Sequence, residues 1–223
     1  MNKLNSAINK NLKMLKINGR IHHNFYKFLS FHCTANFISG IQSVLSTHSM
    51  LGALNIGSNN EVVNDLVVVS VNLIGKDIIG QLASIPIVDR VAKIGDNDTV
   101  KYLRMNVLIY EISNFIECLT PLFNIQYFIY LGALGNIGKN IGFTGFGSFN
   151  AKMINSISLD KDNICELYSK ISIANTVSYS FGMISGLFIV KIIPCHYTRL
   201  SLLPALGFIK YKLLIKSMQS IEK

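Results

Sequence analysis

Long apolar stretches dominate the chain and predict helices that cross a membrane. Residues 34–60 contain no charged side chain, residues 106–137 contain only Glu111 and Glu117, and residues 171–190 contain none. About 20 predominantly apolar residues are enough for a helix to cross the hydrocarbon core of a bilayer. The pattern therefore predicts an all-α, multi-span helical membrane protein with about four to six apolar helices.

Turn residues and polar segments divide these stretches. The sequence GSNN at residues 57–60 predicts a turn, and Pro121 and Pro194 predict breaks in the helices on either side of them. The polar segments 89–104 and 160–170 predict loops. Basic residues in the first of these loops and near both termini place those segments together on the cytoplasmic side.

Charge is distributed unevenly along the chain. The 223 residues carry a net charge of +9, and only 15% of them are charged, against roughly 25% in an ordinary soluble domain. No acidic residue precedes Glu61. We therefore divide the chain into a basic N-terminal segment (1–30), a helical membrane domain (31–209) and a basic C-terminal tail (210–223). Such flanks favour anionic lipid headgroups as partners, and no nucleic-acid module accompanies them.

The residues that could carry chemistry form no catalytic or metal-binding motif. The four cysteines are widely separated and lack the CxxC and His/Cys spacings of zinc sites. Ser43, Ser46 and His48 are neighbours in sequence, but no acidic residue near them could orient the histidine as a triad requires. We therefore expect a non-enzymatic protein with no catalytic residue, no metal and no cofactor.

Ionisable residues inside the apolar segments are the strongest candidates for function, because each is unfavourable in a membrane unless it is paired or hydrated. Glu111, Asn114 and Glu117 recur at intervals of three, so they share one side of a helix. A polar path for a solute and a structural ion-pair network both explain such groups. The candidate polar interior consists of Asp65, Lys76, Asp77, Glu111, Glu117, Asn136 and Lys139.

Glycines at a spacing of four predict close helix packing in two segments. Gly138 with Gly142, and Gly182 with Gly186, form small-xxx-small pairs that let helix backbones approach closely in lipid. The glycine-rich backbone around Lys139 also admits an anion such as a phosphate. No Walker or GxGxxG motif accompanies it, so close packing and anion binding both remain open.

Short motifs follow one another in an order and spacing that resembles a known family. They are residues 44–47 (VLST), 53–57 (ALNIG), Lys76-Asp77, 80–82 (GQL), 117–121 (ECLTP), Gly135-Asn136 with Lys139, Asn163 and Ser169-Lys170. In this order they resemble the Root UVB Sensitive (RUS) family over most of the chain. The sequence departs from the family pattern in lacking its tryptophans, in having Glu111 for an aspartate, and in its short C-terminal extension.

The resemblance implies a role but no reaction. Plant members of the RUS family are associated with ultraviolet-B responses in roots, vitamin B6 homoeostasis and auxin transport, and a location in membranes or plastids is proposed for them. We therefore expect a non-enzymatic integral membrane protein that supports the transport or homoeostasis of a small metabolite. Its expected partners are the lipid membrane and another membrane or RUS-family protein.

Two alternative functions remain open from the sequence. The first is a membrane-associated interaction or scaffold protein, in which the basic termini bind lipid or a partner chain. The second is a soluble helical protein that binds a phosphorylated cofactor, such as pyridoxal phosphate, through the segment around Lys139. The sequence leaves open which intracellular membrane or organelle is involved, which solute, and which oligomeric state.

Overall fold

The computed structural model describes residues 20–54, 62–159 and 163–221, and for residues 62–69 and some positions between 89 and 97 it describes the backbone alone. These ranges contain six α-helices and no β-strand. The prediction of an all-α fold is therefore confirmed. The helices are α1 (Phe25–Ala53), α2 (Val62–Asn97), α3 (Thr99–Leu119), α4 (Phe128–Ile157), α5 (Ile164–Ile192) and α6 (His196–Ile221).

The predicted helix breaks at Pro121 and Pro194 are confirmed. Residues Thr120–Leu122 form a short 3-10 turn with the proline in its first half, directly after α3. Pro194 lies in the connection between α5 and α6. Proline lacks the N–H that a helix interior needs, so helices tend to end beside it. Pro86 nevertheless lies inside α2, which continues beyond it to Asn97.

The predicted loop at residues 89–104 is wrong, because this segment is almost entirely helical. α2 extends to Asn97, and Asp98 is the N-cap of α3, where its side chain accepts a hydrogen bond from the backbone N–H of Lys101 at 2.9 Å. The polar residues therefore belong to two helix ends. The second predicted loop, at residues 160–170, is also largely helical, because α5 begins at Ile164. The turn predicted at residues 57–60 lies outside the described residues.

The packing order places α2 and α5 at the flanks of the bundle. α1 packs against α3, α5 and α6, and α4 packs against α2 and α3. The main apolar core lies where α1, α3 and α5 begin and where α4 and α6 end, around the fully buried Leu103, Ile157 and Leu167. A smaller apolar cluster around Leu45 and Cys118 lies further along α1 and α3.

Apolar side chains cover the outer faces of the two flanking helices. Ile74, Leu82 and Ile85 on α2, and Phe181 and Leu187 on α5, are each more than half exposed. Large exposed apolar patches on a protein commonly mark contact with a membrane or a partner.

Two helices in the described part of the chain are long and apolar enough to cross a membrane. They are Ser70–Val88 within α2 and Ile164–Ile192, which is α5. Their most apolar windows are only 17% and 11% buried within the bundle. A core helix of a soluble protein would be mostly buried, so burial in a protein core does not account for the apolar character of these two helices.

The expected number of about four to six membrane-crossing helices is not confirmed. The other four described helices are also longer than 20 residues, so composition rather than length sets them apart. Their buried or partly buried residues include polar and charged side chains, among them Gln42, Glu117, Lys139 and Lys210, which lower the mean hydropathy of each helix.

The predicted domain boundaries do not coincide with helix ends. α1 begins at Phe25, and α6 continues without a break to Ile221, across residues 209 and 210. Lys210 is only 2% exposed and therefore belongs to the bundle rather than to a solvated tail. Composition alone does not show that Lys210 is buried, because it counts a buried lysine and a solvated lysine alike.

Candidate functional site

A buried ion pair around Glu117 joins three helices. Glu117 on α3 is 1% exposed, and its carboxylate accepts hydrogen bonds from the ammonium group of Lys139 on α4 and from the hydroxyl of Ser46 on α1. Lys139 Nζ also donates to Ser46 Oγ at 2.9 Å. α3 and α4 approach closely here because Gly135 faces the carboxylate, and a methyl group at that position would lie 2.6 Å from Glu117 Cγ.

A second buried pair is centred on Glu111, six residues earlier on α3. Its Oε1 accepts a hydrogen bond from Lys210 Nζ on α6 at 2.7 Å, and its Oε2 accepts one from Gln42 Nε2 on α1 at 2.5 Å. The Lys210 ammonium also stands 3.9 Å from the centre of the Tyr110 ring, which is a cation–π contact. These contacts compensate the charge of Lys210, which would otherwise be strongly unfavourable at this depth.

A third polar cluster lies between α2 and α4 and reaches the surface. Lys76 Nζ contacts Asp77 Oδ1 at 2.6 Å. The amide of Asn136 on α4 donates to the same carboxylate oxygen at 3.1 Å and to the backbone carbonyls of both α2 residues. The side chain of Lys76 is 8% exposed and that of Asp77 is 51% exposed, so this cluster connects the interior with the outside.

The structure thus places six of the seven predicted interior residues in three polar clusters. The side chain of the seventh, Asp65, lies outside the described residues. Sequence reasoning missed Gln42, Ser46 and Lys210, which supply partners from α1 and α6. Lys210 carried a usable signal, because it stands directly between apolar residues in the last apolar stretch.

Both predicted glycine pairs lie at helix contacts. Gly138 and Gly142 on α4 face α3, while Gly182 and Gly186 on α5 face α1. A methyl group on any of the four would come within 2.9 Å of an atom of the neighbouring helix. The helix backbones approach each other more closely at the α1–α5 contact than at the α3–α4 contact. Gly182 faces the backbone carbonyl of Phe37, whereas Gly138 and Gly142 face side chains.

Several buried polar atoms beside the ion pairs have no hydrogen-bond partner among the described residues. Asn114 is fully buried between Glu111 and Glu117 on α3, and both the nitrogen and the oxygen of its side-chain amide are unpaired. The side-chain oxygens of Gln42 and Asn106 are also unpaired. Such atoms are few in folded proteins, because each costs about 1–3 kcal/mol when it is left unsatisfied. Three of these four atoms belong to α3, the helix that also carries Glu111 and Glu117.

In the described ranges, no group of three or more His, Cys, Asp and Glu side chains comes together as a metal ion would require. The carboxylates of Glu111 and Glu117 instead face the ammonium groups of Lys210 and Lys139.

The connection between α5 and α6 carries an accessible thiol away from the buried clusters. Cys195 is exposed. A hydrogen bond with the side chain of Thr198, together with backbone N–H groups at the start of α6, lowers the pKa of this thiol. Cys195 is therefore well suited to chemical labelling.

Comparison with known proteins identifies the family. A family model described as the vitamin B6 photo-protection and homoeostasis domain matches residues 20–222. The chain belongs to this family, the RUS family. No curated protein and no solved structure matched the chain. The range that matches the RUS model contains all three polar clusters.

The motifs that resemble the RUS family converge in space. Ser46, Glu117 and Lys139 come from three separate motifs of the sequence and meet in one hydrogen-bonded group. Lys76-Asp77 is a further motif, and its aspartate accepts a hydrogen bond from Asn136, which belongs to the same motif as Lys139. The collinear pattern of the RUS family therefore corresponds, in this chain, to polar contacts between α1, α2, α3 and α4.

Proposed function

We propose that this RUS-family chain is a non-enzymatic integral membrane protein that supports the transport or homoeostasis of a small metabolite. The observation that carries the proposal is the distribution of polarity, with paired charges in the interior and apolar side chains on the outer faces of α2 and α5. The description of the family domain names vitamin B6 homoeostasis, and vitamin B6 is a small metabolite, which supports this role.

The outer surface supports the membrane part of the proposal. The helix α2, which contains Ser70–Val88, packs on α4, and α5 packs on α1. Both helices leave apolar side chains exposed on their outer faces. In water these faces would be aggregation-prone, whereas in a bilayer the acyl chains cover them. Lipid is therefore the solvent that fits both flanks of the bundle.

The interior supports the solute part of the proposal. Ionisable residues inside membrane proteins commonly mark pathways for substrates or protons, because they are otherwise unfavourable there. The Glu111 and Glu117 pairs lie on the same helix, and the unpaired amide of Asn114 lies between them. A hydrated polar path along α3 would satisfy these groups.

A flux assay with a matched pair of variants tests this role. Vesicles that contain the chain should take up labelled pyridoxine faster than empty vesicles. Lys139→Met should unfold part of the protein, since it leaves the Glu117 carboxylate buried without its cation. The double variant Lys139→Met with Glu117→Gln removes both charges and should fold, yet it should lose most of the flux.

The double variant separates a solute path from a structural ion pair. If both folding and flux recover in it, the Glu117–Lys139 pair is structural only, and the path does not run through it. Absence of any flux above that of empty vesicles in the wild-type chain would contradict the transport role itself. The same assay applies to Lys76→Met, which should impair solute handling without abolishing expression, because its cluster lies nearer the surface.

A second candidate is an interaction or scaffold protein in the membrane. The exposed apolar faces of α2 and α5 favour it, since helices of a partner membrane protein would cover them as well as lipid does. Pull-downs that persist in the charge-neutral double variant but fail when residues 1–19 are removed would favour this candidate over a solute path.

The geometry gives little support to a phosphorylated cofactor at Lys139. Its ammonium group already faces the Glu117 carboxylate and the hydroxyl of Ser46. A phosphate at this position would have to displace a buried carboxylate or share the space with it, and either is electrostatically unfavourable.

A further inference from the structure

A cavity of about 260 Å³ lies beside the Glu111–Lys210 pair, between α1, α3, α4, α5 and α6. Three aromatic side chains line one side, and we call them the aromatic wall: Tyr110, Phe143 and Phe146. The ring of Tyr110 packs edge-to-face against both phenylalanine rings, with centroids 5.4 and 5.9 Å apart. Such a wall suits the face or edge of another aromatic ring.

Polar groups lacking partners line the same cavity. His32 is 4% exposed, and its Nδ1 has no hydrogen-bond partner among the described residues. The side-chain oxygen of Asn150 is likewise buried and unpaired. Lys210 lines the cavity with its ammonium group held by Glu111 and by the face of Tyr110. An occupant with hydrogen-bonding substituents would satisfy the histidine and asparagine atoms, which are otherwise destabilising.

Size and charge restrict the occupant. The volume lies just below the roughly 300–1,000 Å³ of pockets that hold drug-sized ligands, so a single substituted ring is the appropriate size. Lys210 is the cation of the described lining, and its charge is already neutralised by Glu111 at 2.7 Å. A phosphate dianion in this cavity would lie near the Glu111 carboxylate and would find no cation that is not already paired. Its binding would therefore be electrostatically unfavourable.

We propose that this cavity binds a small, unphosphorylated, hydroxyl-bearing heteroaromatic molecule. Its ring lies against the aromatic wall, and its polar substituents bond to His32, Asn150 and Lys210. The inference rests on the proposed function and narrows it, because the vitamin B6 compounds are hydroxylated pyridines that exist with and without a phosphate ester. Within that class the cavity selects the forms without phosphate.

Ligand binding to the full chain in mild detergent tests the assignment. Pyridoxine is the probe, its binding is followed by equilibrium dialysis, and pyridoxal 5′-phosphate is the comparison ligand. Pyridoxine should bind saturably, and the phosphate ester should bind at least about tenfold more weakly.

Two variants and a control locate the binding site. Gly147 lines the cavity at an exposed position, and a methyl group there would meet no atom within 4 Å, so Gly147→Leu adds bulk at the edge of the cavity without a clash. His32→Leu removes the unpaired nitrogen. Each should weaken pyridoxine binding by about tenfold or more. Gly52→Leu is the matched control, because Gly52 is also a helical glycine with open space around it, and it should leave the affinity unchanged.

The outcomes separate this inference from the membrane role. No saturable binding of pyridoxine, equal binding of the phosphate ester, or full affinity in Gly147→Leu would each overturn the cavity assignment. A chain that binds pyridoxine in this way but is released from membranes by alkaline carbonate contradicts the membrane role alone. A chain that resists extraction and does not bind pyridoxine contradicts the cavity assignment alone.

Discussion

Single buried side chains decide which parts of the site could be predicted. Glu117 and Lys139 stood out because each is isolated in an apolar segment, and the structure pairs them across α3 and α4. Lys210 also stands between apolar residues, but it lies 99 residues further along in a lysine-rich segment, so the sequence does not show that it pairs with Glu111. Ser46 carried no signal either, since uncharged polar residues are common in apolar helices and only the tertiary structure shows which of them face a charge.

The Glu111–Lys210 pair should be measurable as a stability term. Lys210→Met leaves Glu111 buried without its cation and should lower the free energy of unfolding by about 3 kcal/mol. The double variant Lys210→Met with Glu111→Gln should recover most of this loss, because no uncompensated charge remains. Thermal unfolding in detergent measures both. Lys216→Met, which changes an exposed lysine of the same helix, should have almost no effect, and an equally small effect of Lys210→Met would refute the pairing.

Helices and their ends were only partly predictable. The breaks at Pro121 and Pro194 follow from the missing N–H of proline, whereas α2 continues past Pro86 because packing along a long helix can outweigh one lost hydrogen bond. The polarity of residues 89–104 predicted a loop, but the segment forms the end of α2 and the start of α3, because polar residues also occur at helix ends. Glycine spacing located helix contacts, but only the structure shows that α5 packs on α1 and α4 on α3.

The α1–α5 contact should not tolerate a larger side chain at Gly182. Gly182→Leu would collide with the backbone carbonyl of Phe37, which cannot move away as a flexible side chain would. We expect a loss of about 1–3 kcal/mol in the free energy of unfolding. Ser180→Leu adds similar bulk at an exposed position of the same helix and should be nearly neutral. Equal stabilities of the two variants would show that the helices do not approach as closely as described.

Native cysteines at the two ends of α5 report whether this helix crosses the bilayer. Cys165 and Cys195 are both exposed, and the 29 residues of α5 span about 43 Å, close to the thickness of a bilayer with its headgroups. In a Cys33→Ser, Cys118→Ser background, a membrane-impermeant maleimide added to sealed vesicles should label one of the two cysteines. After detergent is added, both should react. Labelling of both cysteines in intact vesicles would mean that α5 does not cross.

At the scale of the whole molecule, paired charges lie inside the described bundle and apolar side chains lie on the outer faces of α2 and α5. The apolar stretches correctly indicated helices, but only two of the described helices are long and apolar enough to cross a membrane, so the expected multi-span arrangement is not confirmed. Five of the described helices, including α2 with its buried Lys76, direct polar or charged groups inward, and a hydropathy average cannot tell an inward polar residue from an outward one. The family was recognisable from sequence because its motifs are collinear, whereas their convergence required the fold.

Alkaline carbonate extraction of membranes from cells that express the full chain tests the central claim most directly. Lipid covers the exposed faces of α2 and α5 in this account. The chain should therefore remain in the membrane pellet, while a peripherally bound control protein is released. Recovery of the chain in the supernatant, as a compact monomer that stays soluble without detergent, would contradict the account.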